Sequence, residues 1–255
     1  MARKATTVRN YDNKTISTIF VFLLIIFMIV IPFYRGLFFR KEYISAVIFI
    51  SITFAIFTVI KLKNKSYKIL NTYLDITVLM IPAAYLVSFI FAVNARDAFD
   101  MFLLYCSYFM LYKLVSTLSE ENEKYKDIFI NLIIASTFIL SFTAMLNIAG
   151  IINLKGVIVE KRLFGLYQYA NTSASVLGVG IILSLNRLIN QVDVKKIVIY
   201  QMILTALISS FIFTLSRGGY LALTGVLLLN FLLLKAKVKL KMLLSLFISF
   251  LSSAV

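Results

Sequence analysis

Two polar clusters break an otherwise apolar sequence, and both carry side chains able to bind a phosphate. The first opens Glu160-Lys161-Arg162-Leu163-Phe164-Gly165 and runs on to Asn171. The second is Thr214-Leu215-Ser216-Arg217-Gly218-Gly219-Tyr220. A guanidinium meets phosphate oxygens through two parallel N–H groups and stays ionised in a low-dielectric setting where a lysine can lose its proton. Arg217 is the sole charge between Lys196 and Lys235, and an arginine isolated at a membrane interface needs an acceptor. Held at one depth, Arg162 and Arg217 would clamp the diphosphate of a lipid whose tail lies between helices. Plainer roles stand beside these. Arg217 fits a snorkelling residue or helix-end cap, Arg162 a charged flank beside Lys161, and Asn171 polar glue between two helices.

Other chemistries are excluded by composition. The chain has no histidine, which removes Ser-His, Cys-His and histidine–metal centres from it. A single cysteine, Cys106, rules out a disulfide framework or a cysteine zinc cluster. Arg217-Gly218-Gly219 lacks the spacing of a phosphate-cradling P-loop, so neither metal, nucleotide nor other cofactor is expected. No residue stands out as catalytic. Ion-coupled transporters carry acids or histidines at mid-depth. Here Asp75 and Asp100 fall at the ends of apolar runs, while Glu120, Glu121, Glu123 and Asp127 cluster in one connection.

Positioning these groups falls to membrane helices. Of 255 residues, 61% are hydrophobic and 15% charged, with net charge +15 and mean hydropathy +0.95. In so apolar a chain the basic excess points to a cytoplasmic membrane face and contact with membrane lipids, and no nucleic-acid partner is expected. Charge-free runs cover 15–34, 43–60, 76–95, 128–154, 163–186, 197–216 and 218–234, each near the roughly 17–25 apolar residues that a crossing needs. A weaker fourth span covers 101–119, with Lys113 expected to snorkel out. A ninth run, 242–255, stops after 14 residues. The expected fold is an all-α polytopic transmembrane bundle of eight full spans and a truncated ninth.

Alternate connections hold eighteen Lys and Arg against eight. The richer set includes Arg3, Lys4, Arg9 and Lys14 of the tail, and Lys61, Lys63, Lys65 and Lys68 of the second connection. That bias places the N-terminus in the cytoplasm. The run over 235–241, with four lysines, reads as a cytoplasmic stop in contact with anionic lipid. Ser173, Ala174, Gly178 and Gly180 give the sixth span a face of small residues that lets a neighbour approach closely.

At the two polar clusters the sequence resembles a known family. Arg162, Gly165 and Asn171, followed by Ser216-Arg217-Gly218-Gly219, resemble the opening motifs of the O-antigen ligase and O-antigen polymerase family of bacterial membrane glycosyltransferases. The resemblance implies N-terminal transmembrane helices over 1–159 and the start of the ligase-like domain over 160–255. It implies a multi-pass protein of the bacterial cytoplasmic membrane that transfers glycan from an undecaprenyl-diphosphate carrier on the outer face, without metal or nucleotide. Arg217 and Arg162 would contact the carrier diphosphate, with Gly165, Asn171, Ser216, Gly218 and Gly219 in support. Family members continue into a large outer loop that carries, in the ligases, a histidine implicated as the base. This chain is therefore expected to be incomplete or inactive by itself. A lipid-linked glycan translocator and a non-catalytic membrane scaffold remain the other readings. The sequence leaves sugar, acceptor and oligomeric state open.

Overall fold

The computed structural model describes residues 2–63 and 67–253, with residues 2–14 as helical backbone. Nine α-helices occur among the described residues: α1 (Ala2–Phe33), α2 (Arg40–Leu62), α3 (Tyr73–Ile90), α4 (Ala95–Glu121), α5 (Glu123–Ile148), α6 (Ala170–Ile189), α7 (Val194–Phe213), α8 (Arg217–Leu233) and α9 (Ala236–Ser253). The first seven contain stretches long and apolar enough to cross a membrane. α8 is one residue shorter than α3, at 17 residues, and α9 opens on Lys237, Lys239 and Lys241. The chain is thus an all-α helix bundle of multi-pass membrane type. The side chains of Arg3, Lys4, Arg9 and Lys14, together with Lys65 and residues 254–255, lie outside the described residues.

Helix starts are set by short polar caps. Thr72 accepts from Asp75 N while the Asp75 carboxylate accepts from Thr72 N, a reciprocal box that satisfies two otherwise orphaned donors. Asn94, Asp193 and Ser216 cap α4, α7 and α8 one-way, their side chains accepting from Asp97, Lys195 and Gly219 N. Two compact units result, one of Met1–Phe27 with Leu37–Phe129, the other of Met28–Gly36 with Ile130–Val255.

In the first unit, α2 and α4 run parallel. Arg40 pairs with Asp100 near their starts, and Lys61 pairs with Glu121 near their ends. Lys61 also donates to Ser17 Oγ at 3.0 Å, and Ser17 donates to the other Glu121 oxygen at 2.6 Å. α3 runs antiparallel to α4 and is locked to it by Asp75 and Lys113, 2.9 Å apart and both buried. This corrects the snorkelling expected of Lys113. A buried carboxylate across the hairpin keeps the ammonium inside, and Tyr112 and two backbone amides complete the Asp75 shell. A lysine unpaired at that depth would have to reach water or lose its charge.

The second unit packs α6 and α7 through Leu177, Ile181 and Leu185 against Leu204, Leu207 and Ile208. Hydroxyls fasten α7 to its other neighbours. Ser210 and Ser141 of α5 lie 2.8 Å apart. Gln201, Thr205 and Ser209 pair in rising order with Ser249 and Ser253 of α9, so α7 and α9 are parallel. Spacings of four residues keep each set on one helix face.

The sixth helix begins at Ala170, seven residues later than the apolar run that starts at 163. Residues 158–167 instead form a two-stranded hairpin, β1 (Ile158–Val159) and β2 (Arg162–Leu163), then a 3-10 turn at Gly165–Tyr167. Gly165 and Gln168 both take positive φ, near +63° and +59°, and a left-handed residue ends a right-handed helix. Leu163 is apolar because the hairpin folds it inward, to 1% exposure.

Candidate functional site

The site lies at one end of the second unit, where the hairpin meets the turn between α7 and α8. That turn is tight. Leu215 takes φ near +48°, a left-handed conformation unfavourable for a branched side chain. Thr214 Oγ1 donates to Phe211 O at 2.7 Å, and Tyr220 folds back so that its hydroxyl donates to Ile212 O at 2.5 Å. The Tyr220 ring meets Phe211 edge-on, centroids 5.4 Å apart. Ser216 then caps α8 by accepting from Gly219 N at 3.1 Å.

Arg162 and Arg217, indistinguishable in residue type, are used differently. Arg162 donates through Nε to Thr214 O at 3.3 Å and through Nη2 to Leu215 O at 3.4 Å. It therefore covers carbonyls left free at the end of α7, at the negative pole of that helix. Arg217, the first residue of α8, is exposed and makes no hydrogen bond or ion pair among the described residues. Of the two arginines it is the one without a partner among those residues.

Asn171 and Ser216 meet directly. Ser216 Oγ donates to Asn171 Oδ1 at 2.9 Å, and Asn171 Nδ2 donates to the Tyr169 hydroxyl at 3.2 Å. The bond joins the starts of α6 and α8, which leave this end in parallel. Gly165 lies beneath, where an added Cβ would stand 2.9 Å from Ser173 Oγ. Ser173 in turn donates to Phe164 O, tying the hairpin to α6.

Between α6 and α8 runs a groove of about 370 Å³, beginning at Asn171 and Ser216 and ending at Ile182 and Val226. Its length is roughly 16 Å, eleven residues of helix rise. Ala174 and Gly178 line one wall, Gly218 and Ala222 the other. The glycines divide into two kinds. Gly180 and Gly219 are packing glycines, since a Cβ would strike Thr137 at the first and stand 2.8 Å from the Ala174 methyl at the second. Gly178 and Gly218 have nothing within 4 Å of an added Cβ. A glycine inside a helix costs about 1 kcal/mol relative to alanine, and at Gly178 no neighbouring chain requires it. What it preserves is the width of the groove.

No protein-family model, no curated protein and no solved structure matches the chain. Among the described residues, no cluster of histidine, cysteine, aspartate or glutamate could hold a metal.

Several contributors were not legible in the sequence. Tyr220 and Leu215, which shape the turn presenting Arg217, stand in the second polar cluster with no role of their own that residue type could assign. Gly36, with φ near +60°, lies against the Tyr167 ring so closely that no Cβ fits. Its partner lies 131 positions on, where nothing local marks the pair.

Proposed function

We propose that this chain is part of a membrane glycan ligase or polymerase that takes glycan from a polyprenyl-diphosphate carrier on the outer face of a bacterial cytoplasmic membrane. The observation that carries this reading is the α6/α8 groove, with the unpartnered Arg217 between two of its lining residues, Ser216 and Gly218. Beyond Asn171, Ser175 and Ser216 near its mouth, the groove is lined by glycine and apolar side chains and suits an isoprenoid tail. At its mouth two parallel helices begin, α8 with the exposed Arg217 as its first residue, an arrangement favouring a diphosphate.

In such a transfer the acceptor hydroxyl attacks the anomeric carbon, and the carbon–oxygen bond to the diphosphate breaks. Arg217 and the first amides of α8 would stabilise charge on the leaving diphosphate. The hydroxyl proton needs a base, a role this histidine-free chain assigns to none of its site residues. Arg162 contributes by holding the Thr214–Leu215 turn, and a diphosphate reaching it would have to compete with two carbonyls. The full topology in this reading is eight crossings and a ninth helix, N-terminus in the cytoplasm.

The test is Arg217→Ala and Arg217→Lys in the native host, with surface-glycan length read on a gel, beside binding of undecaprenyl diphosphate to purified protein by native mass spectrometry. Loss of glycan and of binding with alanine, and partial recovery of binding with lysine, is the expected result. Unchanged glycan and binding in both variants would remove Arg217 from the role.

A lipid-linked glycan translocator is the second reading, and Lys113 is the residue that bears on it, being a buried cation inside α4. Asp75 neutralises it at 2.9 Å, so no free charge is left there to conduct a diphosphate. Ligase or polymerase is the better-supported class.

A further inference from the structure

At the opposite end of the second unit, two basic connections that are separate in sequence are joined. Lys241 of α9 donates to Gln191 O at 3.1 Å and to Ile189 O at 3.5 Å. This brings the start of α9 against the connection between α6 and α7. Lys195 and Lys196 stand in the first turn of α7, Lys237 stands in the first turn of α9, and Lys235 immediately precedes that helix. All four are exposed, and their ammonium groups make no hydrogen bond or ion pair among the described residues. One carboxylate is present, Asp193, and it is engaged by the Lys195 backbone N–H at 2.9 Å.

The placement runs against ordinary helix electrostatics. Helix starts carry the positive pole and favour acids, whereas cations belong at the ends. Here four lysines sit on two positive poles, and neither helix has an acid in its first turn. Among the described residues Asp193, the α7 cap, is the one acid set against these four lysines. The remaining positive charge favours an external anion, and the surrounding surface is the end of an apolar bundle.

We infer that this end is a docking surface for anionic phospholipid headgroups, with Lys195, Lys196, Lys235 and Lys237 as its contacts and Lys241 as the clasp that assembles it. The inference is independent of the carrier reading, since the groove and Arg217 lie at the other end of the unit.

The test uses the purified full chain reconstituted in bilayers of equal parts phosphatidylcholine and phosphatidylglycerol. Spin-labelled versions of the two lipids are compared for the fraction immobilised by the protein. The wild type should prefer phosphatidylglycerol about threefold or more, a modest part of the roughly fivefold that each cation contributes near an anionic surface. The variant Lys195→Gln, Lys196→Gln, Lys235→Gln, Lys237→Gln should lose that preference. The corresponding quadruple arginine variant should keep it, which separates lost charge from lost fold. High salt should abolish the wild-type preference, because the screening length falls to about 3 Å at 1 M. Equal immobilisation of both lipids by the wild type, an unchanged preference in the glutamine variant, or loss in the arginine variant would each overturn the inference.

Discussion

Ser216 Oγ donates to Asn171 Oδ1 at 2.9 Å while accepting the Gly219 N–H at 3.1 Å. One hydroxyl thus starts α8 and ties it to α6. Ser216→Ala removes a cap and an interhelical bond together, for about 1–2 kcal/mol. Asn171→Ala leaves the cap and removes the interhelical bond, together with an exposed bond to the Tyr169 hydroxyl, for about 0.6 kcal/mol. Thermal unfolding in detergent should show the larger drop for Ser216→Ala, and equal drops would mean that the cap contributes nothing.

The two kinds of glycine should respond oppositely. Gly219→Ala forces a methyl to within 2.8 Å of the Ala174 methyl and should destabilise the α6/α8 contact by about 1–3 kcal/mol. Gly178→Ala meets open space and should leave Tm equal or higher, by up to about 1 kcal/mol of helix propensity. Gly178→Leu should likewise fold, yet bind undecaprenyl diphosphate at least about tenfold more weakly, a change of roughly 1.4 kcal/mol. Full binding by a well-folded Gly178→Leu protein would argue that the tail lies elsewhere.

The arginines differ in the same manner. Arg162→Ala uncovers the Thr214 and Leu215 carbonyls and should cost about 0.3–1 kcal/mol of stability. Arg217→Ala, which breaks no bond within the described residues, should leave Tm unchanged while carrier binding falls. A drop in Tm for Arg217→Ala alone would assign it a structural task instead.

Lys113→Met strands the Asp75 carboxylate in the α3/α4 hairpin and should cost about 3–5 kcal/mol. Adding Asp75→Asn should recover most of that loss, because a neutral amide is far cheaper to bury. Urea unfolding of the single and double variants measures the recovery, and additive losses would mean that the two residues do not act as a pair.

Burial pushes the Tyr167 phenol up to about 12, from an ordinary 10. The folded protein then keeps its proton where the unfolded chain has lost it. This contribution to stability is complete below pH 10 and is lost as pH rises toward 12. Its full size is on the order of 2 kcal/mol. Tyr167→Phe should flatten that part of the stability–pH curve, and an identical alkaline decline in both proteins would place the titration at another residue.

Much of the helical order was legible in composition. Runs of 17 or more uncharged residues over 15–34 or 197–216 have few alternatives, because backbone polar groups in an apolar surrounding must be satisfied within the segment. The fourth helix was harder. Lys113 interrupts its run, and the carboxylate that allows burial lies 38 positions earlier, where nothing local marks it as a partner. The start of α6 was misplaced for a related reason. Leu163 and Tyr167 are apolar or aromatic because a hairpin and turn bury them, and inward-facing and lipid-facing side chains look alike in a string of residues.

The site divides along the same line. Residue type alone settled that the chain offers guanidinium, amide and small side chains in two clusters, and no histidine, because chemistry belongs to the side chain wherever it lies. Which guanidinium is free was decided only by tertiary structure. Arg162 is consumed by two carbonyls brought to it from 52 and 53 positions away, and Arg217 is not. The groove is likewise a property of two helices together. Gly178 and Gly218 become an opening only when α6 and α8 lie side by side with nothing else filling the space between them.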